Sequence, residues 1–154
     1  MKIYIASDHA GFSLKRQLIQ YLKIKGIEVE DMGAFEIDEA DDYPDFIYPC
    51  AKKVINDPGS LGVVVGGSGQ GEAIVANKVR GIRAAVFYGP VAGRFDIAKL
   101  AKEHNNVNIL SLGARFLSPE DAKKAVTAWL DARFEGGRHE RRIEKINKIE
   151  NEKD

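Results

Sequence analysis

Residues 63–78 read VVVGGSGQGEAIVANK, an apolar run that stops at a glycine-rich turn, with an acid, Glu72, directly behind it. Between a strand and a helix, the peptide N–H groups of Gly67, Ser68, Gly69, Gln70 and Gly71 can point at one centre near the positive end of the helix. Such a fan suits an oxyanion, either permanent or developing during a reaction, and Ser68 adds a hydroxyl. Tight packing alone would also call for glycine, but a turn at the carboxyl end of a parallel strand usually lines a site. The turn is neither of the common phosphate loops. Gly67, Gly69 and Gly71 fall two apart, after the third strand and not the first, and no Gly-Lys-Ser/Thr ending follows. Nor is Ser68 in a GxSxG nucleophile elbow. Glu72 has two readings. Acids are favoured in a first helical turn by the dipole, and a carboxylate facing stabilising donors is also what proton abstraction beside a carbonyl requires. Burial would raise its pKa and the helix end would lower it. An offset of four from Ser68 excludes a capping box.

The histidines sit in polar strings. His9 follows Asp8 in SDHAG just after the first strand; His104 precedes Asn105 in KEHNN, before the fifth; His139 lies in GGRHERR between Arg138 and Arg142. Arginines four apart share a helix face and can grip a phosphate from two directions, although a charged run is also what a solvated helix shows. Arg115 in LGAR offers another guanidinium. No two histidines have a ligand-like spacing, so no metal site is expected.

These groups must be held by something. Short apolar runs alternate with amphipathic segments: strands at KIYIAS, IEVEDM, Leu61–Val65, IRAAVFY and VNILSL, and helices over Gly11–Lys25, Tyr43–Asn56, Gly69–Val79, Ile97–Glu103 and the segment opened by Ser118 and Pro119. That order predicts an α/β fold, a Rossmann-like three-layer α/β/α sandwich on a five-stranded parallel sheet. Residues 1–137 form one domain on this reading. Residues 138–154 are its helical extension, with Ile143, Ile146 and Ile149 as a thin apolar stripe that either frays in solvent or rests on a partner subunit.

Composition removes several function classes. Lys plus Arg and Asp plus Glu both number 23 in 154 residues, so no overall field recruits nucleic acid or an acidic membrane. No run approaches the roughly 20 apolar residues of a membrane span, and no secretion signal is evident, so a cytoplasmic location is expected. Cys50 is the single cysteine, which excludes an internal disulfide.

Together, SDHAGF, DYPDF, GGSGQGE, ANK, GIRAA, EHNN, LGAR and EGGRHERR resemble, in order from Ile3 to about Ile149, the type B ribose-5-phosphate isomerases and the related galactose-6-phosphate isomerase subunits. The resemblance implies a metal- and cofactor-free aldose–ketose isomerase of the non-oxidative pentose phosphate pathway, a homodimer or homotetramer with sites at the subunit interface. It also implies the branch in which a glutamate, here Glu72, replaces a cysteine base, whose position here is Gly66. In that reading Glu72 moves a proton between C2 and C1, Ser68 and the Gly67–Gly71 backbone stabilise the enediolate, and His104 opens the ring. Asp8, His9, Tyr43 and Asn105 hold the sugar, Arg115, Arg138 and Arg142 the phosphate, some of them from the partner; His139 would be an interface or phosphate-side residue. Ribose 5-phosphate is the first choice of substrate; a hexose 6-phosphate, or a non-catalytic sugar-phosphate-binding role, are the alternatives. The segment GPVAGRFDIAKLA before KEHNN is about five residues longer than such proteins usually have, and extra length in a loop at a strand's carboxyl end can reshape a sugar pocket.

Overall fold

The chain opens with Ile3-Tyr4-Ile5-Ala6, buried on both faces of the sheet, which is why it reads as a continuous apolar run and not as an alternation. In the computed structural model, which describes residues 1–152, this is strand β1, Lys2–Ser7. Then follow a short 3-10 turn at His9–Gly11, helix α1 (Phe12–Ile24), β2 (Glu28–Asp31), α2 (Pro44–Asn56), β3 (Leu61–Gly66) and α3 (Gln70–Ala76). The second half continues with β4 (Ala84–Phe87), α4 (Asp96–Asn105), β5 (Ile109–Gly113), α5 (Pro119–Asp131) and α6 (Arg138–Asn151). All strand pairs are parallel, in the order β2-β1-β3-β5-β4.

Two apolar layers sandwich the sheet. Leu14, Leu18 and Leu22 of α1, Ala98 and Ala101 of α4, and Val126 and Trp129 of α5 cover Ile3, Ile5, Val63, Val65, Leu110 and Leu112. On the other face, Ile47, Cys50, Ala51 and Val54 of α2 and Ala76 of α3 cover Tyr4, Ala6, Val64 and Ile109. The three-layer α/β/α architecture expected from the element order is the one observed. Cys50 belongs to this packing; burial pushes its thiol up to about 12.

Expected and observed boundaries differ most at α3, which ends at Ala76 instead of running to Val79. Asn77 explains the early stop. Its side-chain amide donates to the Ala84 carbonyl at 3.0 Å and accepts from the Ala84 N–H at 2.7 Å, drawing the chain toward β4. Ser118 caps α5 as anticipated, its hydroxyl oxygen accepting from the Asp121 N–H at 3.1 Å.

The strand order matters for function. From β1 the chain steps outward to β2, then crosses back to place β3 on the other side of β1. Connections therefore diverge at the carboxyl ends of β1 and β3, leaving the crevice where open α/β sheets bind ligands. Asp8–His9 and the glycine turn are the two segments that leave those ends.

Candidate active site

The glycine turn is shaped by β5. The Ala114 and Arg115 N–H groups donate to the Gly66 and Gly67 carbonyls at 2.8 and 3.1 Å, and the buried Ser111 hydroxyl donates to the Gly69 carbonyl at 2.6 Å. With its carbonyls tied to β5, the turn can present N–H groups to the crevice; those in the first turn of α3 have no helical acceptor in any case. Gly69 is the N-cap at φ +77°, a left-handed conformation that favours glycine, and a Cβ there would meet the Leu112 backbone and Ser111 Oγ at 3.0 Å. Ser68 Oγ accepts from the Gln70 N–H at 3.3 Å, which leaves the hydroxyl proton free to donate.

Glu72 points back into this turn. It is only 4% exposed, and its carboxylate fills the space over Gly66: a Cβ on residue 66 would lie 1.8 Å from Oε1 and 2.0 Å from Cδ. A side chain at 66 and the Glu72 carboxylate in this position therefore exclude one another. Burial raises the Glu72 pKa, and the Asp8 charge adds to the rise, while the backbone amides of Glu72 and Gly69 oppose it. The balance that the sequence left open falls on the side of a basic carboxylate. Such a group is better suited to taking a proton than an ordinary surface acid.

Around it stand further anticipated residues. Asp8 caps the 3-10 turn, accepting from the Gly11 N–H at 3.1 Å. Tyr43, at the N-terminus of α2, lays its ring against Gly71, where a Cβ would meet Cζ at 2.7 Å. The Arg115 guanidinium lies over Gly67, with Cζ 3.1 Å from where its Cβ would be. His9 Nδ1 sits 2.6 Å from Asp41 Oδ1, and the His9 N–H donates to the same oxygen at 3.2 Å. Hydrogen bonding to Asp41 raises the His9 pKa and directs Nε2 away from the carboxylate. Asp41 was not singled out from the sequence, since nothing in EADD separates a histidine partner from the other acids of that loop. Its loop is anchored by the fully buried Lys15, whose ammonium donates to Asp31 at 2.6 Å and to the Ala34 carbonyl at 2.5 Å.

His104, Asn105, Arg138 and Arg142 are elsewhere. A helix joining parallel strands starts at the carboxyl edge of the sheet and ends at the amino edge, so the end of α4 lies across the sheet from Glu72. The Asn108 N–H donating to the Arg83 carbonyl, beside the start of β4, confirms that edge. The five residues of β5 separate the two groups by roughly 16 Å. The second group has its own order. The His104 and His139 rings stack 4.3 Å apart at 4°, and Glu135 Oε2 lies 3.8 and 3.6 Å from their Nε2 atoms. Arg138 Nε donates to His139 Nε2 at 3.4 Å. Burial, with His104 and Arg138 nearby, lowers the His139 pKa. Ligand atoms of His104, Glu135 and His139 lie within 4.8 Å of one another, a grouping that sequence spacing did not reveal. A guanidinium against one ring suits an anion better than a metal cation. Glu135 is the other residue missed, being one acid among many until the fold places it between two imidazoles.

The extended segment before α4 lies at a strand's carboxyl end, where the sequence puts it. Residues 89–95 form a small turn with paired Val91 and Arg94, at the carboxyl end of β4. Tyr88 packs edge-on against Phe116 at 5.6 Å, next to Arg115. The segment thus borders the Glu72 edge, a whole helix away from His104.

Helix α6 buries His139 and Ile143 but leaves Ile146 and Ile149 50% and 68% exposed. Its far end is tied to its own chain: Glu150 accepts the Gly81 N–H at 2.9 and 3.0 Å, and Arg80 donates to the Glu150 carbonyl at 3.1 Å. Among the described residues no helix is long and apolar enough to cross a membrane.

A family model described as ribose/galactose isomerase matches residues 3–146. The chain belongs to that family. It is 43% identical over 151 residues to ribose-5-phosphate isomerase B of Mycobacterium leprae, covering 97% of this chain and 90% of that one. The enzyme of the same name from Escherichia coli K12 is 40% identical over 149 residues, covering 97% and 96%. Among solved structures, ribose-5-phosphate isomerase B of Mycoplasma genitalium with bound ribulose-5-phosphate superposes with a TM-score of 0.92 at 42% identity, covering 99% of this chain and 97% of that one. The Clostridium thermocellum enzyme gives 0.91 at 45%, covering 97% of each chain.

Proposed function

We propose that this protein interconverts D-ribose 5-phosphate and D-ribulose 5-phosphate, with Glu72 as the base. The observation that carries this is the buried carboxylate of Glu72, folded over Gly66 and facing a turn of peptide N–H groups. Family relatives bearing that enzyme name, one with ribulose-5-phosphate bound, support the choice of substrate.

The chemistry follows from the groups present. Ribose 5-phosphate is mainly a furanose. Its C1–O4 bond breaks as the ring oxygen gains a proton from His104 and the C1 hydroxyl loses one, giving the aldehyde. Glu72 then takes the C2 proton; the electron pair forms a C1–C2 double bond and O1 becomes an oxyanion. The N–H groups of the Gly67–Gly71 turn that are not already bonded within it, with the Ser68 hydroxyl, stabilise that charge; one such donor is commonly worth about 3 kcal/mol in a transition state. Glu72 returns its proton to C1 while the O2 hydroxyl proton passes to O1, leaving the ketone at C2. Asp8, His9, Tyr43 and Gln70 hold the hydroxyls on the Glu72 side, and Arg115 contributes charge for the phosphate.

His104, Asn105, Arg138 and Arg142 serve the same sugar only if a second copy presents its amino-edge group to the first copy's crevice. A two-fold dimer does this twice, giving two sites, each with Glu72 from one chain and His104 from the other. The separation of the groups across the sheet, and the exposed Ile146 and Ile149, support this arrangement. We assign the chain to the branch that uses glutamate in place of cysteine, because the Glu72 carboxylate occupies the space a side chain at 66 would need. The protein would act in the cytoplasm.

The test is solvent-deuterium incorporation at C1 of ribulose 5-phosphate, alongside turnover of ribose, allose and galactose phosphates. E72Q should bind ligand normally and lose both exchange and turnover. Near-normal exchange in that variant removes Glu72 as the base, and faster turnover of a hexose phosphate would replace the substrate.

A further inference from the structure

The end of α4 that carries His104 and Asn105 is not closed by a glycine. Asn106 takes the left-handed position, φ 45° and ψ 45°, and the last carbonyls of the helix need donors from outside it. The Asn106 N–H meets the Lys102 carbonyl and the Glu135 N–H the Glu103 carbonyl, both at 3.0 Å, and one side chain, more than twenty residues upstream, supplies the outermost two. Arg83 Nε donates to the Asn105 carbonyl at 3.0 Å and the Asn106 carbonyl at 3.2 Å, and Nη2 donates to the Asn106 carbonyl at 3.0 Å. Nη1 reaches the Gly81 carbonyl at 3.4 Å. The Arg83 backbone is itself held, its N–H donating to the Asn108 side chain at 2.7 Å and its carbonyl accepting from the Asn108 N–H at 3.1 Å. Asn108 Nδ2 closes the loop on the Gly81 carbonyl at 3.0 Å. The Gly81 N–H is held by Glu150 of α6, the helix that begins with Arg138 and His139.

We propose that Arg83 is a positioning residue for the ring-opening half of the reaction: its guanidinium clamps the α4 terminus so that His104 and Asn105 meet the sugar in a fixed place. The inference rests on the role given to His104 above. A planar guanidinium is suited to the task, since its fork binds several carbonyls with one side chain, whereas an ammonium is a point donor. Enolisation lies at the opposite edge from this clamp. Glu72 and its turn are built there by Ser111, Ala114 and Arg115, none of which hydrogen-bonds to Arg83.

That separation makes the role measurable. Ribulose 5-phosphate has its C5 hydroxyl blocked and is an open chain, so exchange of its C1 hydrogen with deuterium oxide reports Glu72 chemistry without ring opening. Turnover of ribose 5-phosphate reports both steps. In R83A, turnover should fall roughly 100-fold, the loss expected from a misplacement of about 1 Å, while exchange at saturating ribulose 5-phosphate stays within about threefold of the parent. R83K, which keeps the charge and a single donor, should fall between the two and covers the case in which R83A does not fold. H104N, measured beside them, should show the same split. Equal losses in turnover and exchange for R83K, or no loss in a folded R83A, overturn the proposal while leaving His104 in its role if H104N still splits the two rates. If H104N does not split them, the role of His104 fails and the Arg83 proposal falls with it.

Discussion

A methyl group added at Gly66 should abolish isomerisation although residue 66 has no side chain to contribute chemistry. A Cβ there would lie 1.8 Å from Glu72 Oε1 and 2.5 Å from Oε2, against an ordinary contact of 3.4–4 Å. Gly66 ends β3, hydrogen-bonded to the start of the β5 loop, so its backbone has little freedom. The carboxylate must give way, by about 1.6 Å, and reacting groups lose on the order of 100-fold for each ångström of misplacement. We expect G66A to lower kcat by at least about 100-fold, with a stability cost of about 1–3 kcal/mol typical of overpacking. G67A is the matched control. Its Cβ would meet only the far end of Arg115, at 3.1 Å from Cζ, which can swing aside, so KM should rise more than kcat falls. The assay is initial-rate formation of ribulose 5-phosphate, with thermal melts to confirm folding. A folded G66A with kcat within about threefold of the parent would show that the carboxylate need not occupy this space, and the case for Glu72 would fail. The same steric exclusion gives a positive arm: G66C combined with E72A should recover activity relative to E72A alone. That recovered activity should be lost on alkylation, because the native Cys50 is fully buried, with its thiol pushed up to about 12, and cannot answer for it.

Mixing inactive E72Q and H104N proteins under subunit exchange should restore about a quarter of parental activity, since half the random dimers are mixed and each has one intact site; no recovery rules out a site shared between chains. Because burial raises the Glu72 pKa, the acid limb of kcat/KM should lie above the ordinary glutamate range, and a limb at or below that range contradicts the burial argument. The raised value also means the folded state binds the proton more tightly, so Glu72 costs stability as pH rises from its unfolded pKa through its folded one. E72Q should therefore melt higher than the parent at neutral pH, with the advantage vanishing in acid; a lower melting temperature at neutral pH would count against it. In D41N the His9 pKa should drop toward its ordinary value, read from the imidazole proton shifts, and an unchanged value would mean Asp41 is not its partner. Removing residues after Gly137 should weaken phosphate binding and subunit association together; a truncated protein that stays oligomeric with an unchanged KM contradicts the shared site.

Much is legible in the sequence because it is local. Apolar runs buried on both faces specify parallel strands, Ser118-Pro119 opens a helix wherever it occurs, and a glycine turn ahead of an acid places N–H donors beside a carboxylate within one turn of chain. The element order and the Glu72 side of the site follow from such short-range rules. Long-range pairing does not. Asp41 reaches His9 across 32 residues, His139 stacks on His104 across 35, and Arg83 closes a helix that ends 22 residues later. Two further matters needed the tertiary structure: how far Glu72 is desolvated, because burial depends on what covers a side chain, and that one chain sets its two groups of candidate residues on opposite edges of the sheet. The latter is a consequence of parallel topology. Every connecting helix in such a sheet starts at the strands' carboxyl edge and finishes at their amino edge, so a residue at the end of α4 cannot meet one at the start of α3 within the same chain.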